Sequence, residues 1–145
     1  MTVEDNKALV REYYETVVST GNVSTLHRYI APEYLEVYQG ETYALGVEGA
    51  AEHIVGVRRT YPDLQLEVEQ QIAEGDWVVT RLVMTGTHEG EWLGIKPTGR
   101  RVRIETVNID RLEDGRIVEH GGAANLLEPL LEIGAVKIAE PVEQS

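Results

Sequence analysis

The 145-residue chain has no cysteine, which excludes disulfides, thiolate nucleophiles and cysteine-bound zinc and fits a cytoplasmic protein. Positive charge is scarce as well: 13 Lys and Arg face 25 Asp and Glu, for a net charge of −12. Nucleic-acid binding needs clustered cations to neutralise phosphates, so that class is disfavoured, as is docking on an anionic membrane. No apolar run is long enough to span a bilayer, and no signal-peptide pattern follows Met1. A Gly-rich phosphate loop and a dinucleotide fingerprint are both missing, so no nucleotide cofactor is expected. The four histidines, His27, His53, His88 and His120, form no i, i+4 pair. No dedicated metal site is therefore expected.

What is present reads as one globular domain, with 42% hydrophobic and 26% charged residues. Its expected span is 1–136, followed by a loosely held tail from Lys137 to Ser145. Asn6 to Thr20 carries Leu9, Val10, Tyr13, Tyr14, Val17 and Val18 at helical spacing. Asn22 can cap a short second helix through Ile30. Glu33 to Tyr38 alternates Tyr34, Glu36 and Tyr38 against Leu35 and Val37, and Gly40 to Gly46 reads as a loop. A third helix, Val47 to Thr60, stops before Tyr61-Pro62-Asp63. Leu64 to Ala73 is a strand with an acidic outer face. Asn125 to Glu128 resembles a capping box for a last helix ending near Ile133.

Asp76 to Asn125 organises the rest. Trp77 to His88 places Val78, Thr80, Leu82 and Met84 on one face and Val79, Arg81, Val83 and Thr85 on the other. Arg101 to Arg111 alternates Val102, Ile104, Thr106 and Asn108 against Arg103, Glu105, Val107 and Ile109. Asp114-Gly115 marks a hairpin into Arg116 to Gly121. Polar Arg81, Thr106, Asn108 and His120 within such strands point to a partly wet concave face.

GTHEGEWLGIKPTGRRV, followed by DGRIVEH, resembles the SnoaL-like polyketide cyclases, relatives of nuclear transport factor 2 and limonene epoxide hydrolase. The resemblance covers about Asn6 to Gly134. It implies an α+β fold, a cone of curved, mostly antiparallel sheet on three to four helices around a pocket. It also implies cofactor-independent acid/base ring closure of a polyketide-like substrate in bacterial secondary metabolism. Hydroxylation with a reductase partner, epoxide-hydrolase-type ring opening, or a non-catalytic binding and dimerisation module are the alternatives. In ring-closing members an aspartate lies two residues after the position matching His120. Gly122 stands there in this chain. Arg81 matches the arginine of limonene epoxide hydrolase, but the aspartate expected two residues on reads as Val83.

The catalytic candidates are His120, whose imidazole can exchange a proton near neutral pH, and Glu36, flanked by Tyr34 and Tyr38. His120 could instead only shape the pocket wall, and Glu36 could be an exposed lip glutamate. Asn108 and Thr106 can hydrogen-bond a substrate oxygen. Arg81 either pairs with Glu36 or Glu105 or anchors substrate. Tyr13, Tyr14, Tyr34, Tyr38 and Trp92 could shape a flat aromatic site, although the first two sit on a core stripe, with the Gly90 to Gly99 segment as a flap or a dimer contact. Asn125 reads first as a helix cap and second as a substrate amide. His53 is assigned to the helix–sheet interface, and His88 to a structural turn. Val78, Leu82, Met84, Val107 and Ile109 suggest a homodimer through the outer sheet face.

Overall fold

The computed structural model describes residues 1–140. Of the expected loose tail, 141–145 lies outside the described residues.

A capping box starts the chain: the Thr2 hydroxyl accepts from the Asp5 amide, and the Asp5 carboxylate accepts from the Thr2 amide, both at 3.0 Å. Helix α1 (Val3–Glu12) runs directly into a wider π-helical turn, Tyr13–Val18. That turn buries Tyr13, Tyr14 and Val17 together. The expected second helix is a 3-10 segment, Val23–Arg28, in which the Asn22 side chain makes no cap hydrogen bond. Strand β1 (Ile30–Tyr38) starts earlier than its alternation suggests. The expected loop after it contains strand β2 (Glu41–Ala44), exposed throughout and therefore without an apolar pattern to reveal it. Helix α2 (Gly46–Thr60) crosses the sheet, burying Ala50 and Ile54.

Four long strands follow: β3 (Gln65–Glu74), β4 (Trp77–Thr87), β5 (Arg101–Glu113) and β6 (Arg116–Ala124). Helix α3 (Leu127–Glu132) closes the fold. The sheet order is β2-β1-β6-β5-β4-β3, antiparallel except for the parallel β1–β6 pair. Irregularities at Ile30/Leu35, Val68/Gln70 and Arg111/Leu112 interrupt the ladders. Such bulges raise local twist and bend a sheet, giving the expected curved α+β architecture. The bulge in β3 also changes its parity after Val68, so Gln71 turns inward and donates to the Lys7 carbonyl at 3.0 Å. Asp114 and Gly115, with φ of 49° and 76°, form the tight β5–β6 turn that their sequence demands.

The concave face packs on α1 and α2 through Val10, Leu26, Ile30, Ile54, Leu82 and Ile117. Fully burying each such side chain is worth about 1.5–3 kcal/mol. A second cluster joins Tyr61, Met84, Val102 and Ile104 to Leu130 and Ile133 of the C-terminal segment. Val78, Leu82 and Met84 therefore face the core, which removes them from the expected dimer face. Val107 and Ile109 remain on the outer face, 43% and 45% exposed. Among the described residues no helix is long and apolar enough to cross a membrane.

Candidate active site

The inner face of β5 carries Thr106, Asn108 and, two residues further, Asp110, which has no solvent exposure. Strand register sets Asp110 opposite His120 of β6, and His120 opposite Glu36 of β1. Three ionisable side chains thus form a row across adjacent strands. His120 Nδ1 lies 2.7 Å from Asp110 Oδ1. The π-helical turn brings in Tyr14, whose hydroxyl donates to Asp110 Oδ2 at 2.5 Å and lies 3.4 Å from His120 Nδ1. Tyr34 donates to Glu36 Oε2 at 3.0 Å and stacks beside His120, with ring centroids 6.4 Å apart.

A buried carboxylate is stable only when it is well paired. Asp110 accepts from Tyr14 on one oxygen and faces His120 on the other. An ionised carboxylate accepts and cannot donate, so Nδ1 carries the proton of the neutral imidazole. Nε2 is left as a lone pair without a protein partner among the described residues. Burial pushes the His120 pKa down, but the charge and hydrogen bond of Asp110, with the charge of Glu36, outweigh it and raise it above 6.5. Burial pushes the Tyr14 phenol far up, and the Asp110 charge and hydrogen bond push it further, so Tyr14 stays a donor. Tyr34 is raised by burial and by the neighbouring Tyr13 and Glu36.

The row opens into a cavity of about 180 Å³, bounded by Tyr34, Glu36, Leu82, Thr106, Asn108 and His120, with α2 as the far wall. Asn108 is 9% exposed, and its amide has no protein hydrogen-bond partner among the described residues. An unpartnered amide in that position can hold an oxygen of a bound molecule. Gly122 lies opposite Asn108 in the ladder, and a β-carbon there would collide with the Asn108 amide oxygen. The space of the expected aspartate is taken by Asn108.

The structure thus gathers His120, Glu36, Asn108 and Thr106, and it separates the other candidates. Arg81 is exposed on the outer face, because its parity on β4 opposes that of Leu82. It pairs with neither Glu36 nor Glu105, and the arginine of an epoxide-hydrolase arrangement is therefore missing from the pocket. Tyr38 is 56% exposed at the β1 end. Asn125 is exposed, donates its backbone N–H to the Glu105 carbonyl, and makes no cap for α3. Trp92 borders a second, outer cavity. His88 is buried, with Nδ1 3.3 Å from the Thr98 hydroxyl, as a structural turn residue should be. His53 is not within the interface core: it is exposed on α2 and borders both cavities. Sequence reading missed Asp110, though the Thr106–Asn108 alternation continued one step places it inside. It also left Tyr14 on a core stripe, since nothing local distinguishes it from Tyr13.

Comparison with known proteins adds to this geometry. A family model described as SnoaL-like polyketide cyclase matches residues 8–133. The aklanonic acid methyl ester cyclase AcmA of Streptomyces galilaeus is 36% identical over 115 residues, covering 78% of this chain and 79% of that protein. The nogalonic acid methyl ester cyclase of Streptomyces nogalater is 32% identical over 118 residues, covering 80% and 88%. Among solved structures, AclR, a proposed hydroxylase from Streptomyces galilaeus, superposes with a TM-score of 0.81 at 29% identity. That match covers 96% of this chain and 91% of AclR.

Proposed function

The chain belongs to the SnoaL-like polyketide cyclase family, and from that premise we propose that it closes a ring in a carbonyl-rich polyketide by proton transfer without a cofactor. The observation that carries this reading is the Asp110–His120 contact at 2.7 Å, with Nε2 left free at the cavity. A C–H flanked by carbonyls is acidic enough for an imidazole to remove its proton. His120 Nε2 takes that proton while Asp110, with Glu36 behind, stabilises the imidazolium. Asn108 and Thr106 hydrogen-bond the enolate oxygen. The enolate carbon then bonds to a second carbonyl carbon of the same molecule, and the new alkoxide recovers the proton from Nε2. The product is an isomer of the substrate. Tyr14 is a positioning residue, fixing Asp110 and through it the imidazole tautomer. Trp92 contacts the substrate further out.

Aklanonic and nogalonic acid methyl esters, taken from the relatives' names, are the substrates to test first. Ring-closed product of unchanged mass, formed well above the spontaneous rate, is expected. Product heavier by one oxygen and dependent on reductant would instead favour the hydroxylase reading suggested by AclR. No product from either ester or from related polyketides would contradict both.

We place the enzyme in the cytoplasm, consistent with its lack of cysteine, and assign it a homodimer through the outer sheet face. Trp77, Val107 and Ile109 are 41–45% exposed beside Gly121 and Ala123, a contiguous apolar surface of the kind that marks interfaces. Two copies each carrying −12 repel, so association should tighten as salt screens the charge. Light scattering at micromolar concentration should give the mass of two chains, and Val107→Glu should give one. A monomeric parent at moderate salt would rule the dimer out.

A further inference from the structure

Gly56 lies in the middle of α2, where glycine weakens a helix relative to residues with a β-carbon. Its backbone gives no reason for glycine, since its φ is outside the left-handed region. Packing gives none either: apart from its chain neighbours and the helix's own nearby backbone, no atom lies within 4 Å of where its β-carbon would stand. Gly49 of the same helix differs, because a β-carbon there would meet the Leu45 side chain at 2.6 Å. What Gly56 does is border the outer cavity, about 440 Å³, together with Val57, Tyr61, Trp92, Ile104 and Leu126.

His53, Val57, Met84 and Thr106 are walls of both cavities, so the two rooms adjoin. The inner room, about 180 Å³, falls below the roughly 300–1,000 Å³ of small-molecule pockets, whereas both rooms together fall within it. We propose that the outer room is the subsite for the unreactive, flat and apolar part of the substrate, with Gly56 as its specificity-determining residue. The absence of a side chain at Gly56 keeps that room open. The Trp92 indole and Tyr61 ring offer flat faces for a ring system, and Val57, Ile104 and Leu126 add an apolar wall. The reacting carbonyls then extend past Met84 and Thr106 to Asn108 and His120. This assignment rests on the cyclase reading above, but its test does not need turnover.

The chain has two tryptophans, so Trp77→Phe leaves Trp92 as the only indole emitter. In that background, 1,8-dihydroxyanthraquinone is expected to bind and quench Trp92. Gly56→Phe should weaken this binding about tenfold or more by filling the room. Gly56→Ala adds one methyl and should keep affinity within about twofold, with a melting temperature no lower than the parent's. With a cyclisable polyketide, Gly56→Phe should act on KM and leave kcat nearly unchanged. Unchanged probe affinity in a folded Gly56→Phe protein would overturn the subsite. Should that variant not fold, Gly56→Leu carries the same test. If the parent turned over no polyketide while Gly56→Phe still weakened probe binding, the cyclase reading would fall and the subsite would stand.

Discussion

Asp110→Asn is expected to lower turnover by about 10²–10⁴-fold, although Asp110 itself touches no substrate. The amide is nearly isosteric, so the fold survives. If its oxygen stays on Tyr14, its NH₂ faces His120 and forces Nδ1 to accept. The imidazole proton then sits on Nε2, and the base is gone. If the amide turns over, the Tyr14 hydroxyl loses a buried acceptor. In both arrangements the Asp110 charge that raises the His120 pKa disappears, and only the charge of Glu36 is left to oppose burial. Steady-state kinetics would show the loss. An NMR titration should place His120 above 6.5 in the parent and lower in the variant. Identical titration midpoints would mean that Asp110 does not control the imidazole.

The raised His120 pKa also sets opposite pH trends for rate and stability. The folded value exceeds the unfolded one of about 6.5. The stabilisation from the protonated His120–Asp110 pair is therefore complete below that value and is lost as pH rises through the folded pKa. Base catalysis needs the neutral ring, so turnover rises through the same window. Melting temperature and kcat/KM should cross there in opposite directions.

How far the sequence reveals this site depends on the kind of signal each residue carries. The inward faces of β4 and β5 follow strict alternation, and the Asp114-Gly115 turn fixes their neighbour, so Thr106, Asn108 and His120 were legible as one concave set. Alternation fails for Arg81 only in interpretation. It lies on the face opposite Leu82, and the outer side of a central strand tolerates a charge in water. Asp110 was legible in parity and overlooked in chemistry, because its burial depends on Tyr14, 96 positions away in the chain. The contact of Tyr14 with Asp110 depends on a π-helical turn, whose extra residue per turn no α-helical period predicts. Strand β2 is exposed on every residue, and the bulge at Val68/Gln70 leaves no mark in hydrophobicity. The two rooms of the pocket arise from side chains of eight separate segments, and only the folded chain brings them together.

His120→Ala should lower turnover about a hundredfold or more and also destabilise the protein. Removing the ring leaves Asp110 Oδ1 buried without its donor, a loss of about 1–3 kcal/mol. The alanine variant therefore cannot by itself separate a catalytic from a structural histidine. His120→Gln separates them, because its amide can donate to Asp110 yet cannot carry a proton at neutral pH. Most of the stability lost in the alanine variant should return. The decisive measurement is the rate of ring closure by folded His120→Gln on a substrate that the parent cyclises. A rate as low as that of His120→Ala is predicted. Near-parental turnover would contradict the account and pass the role of base to Glu36.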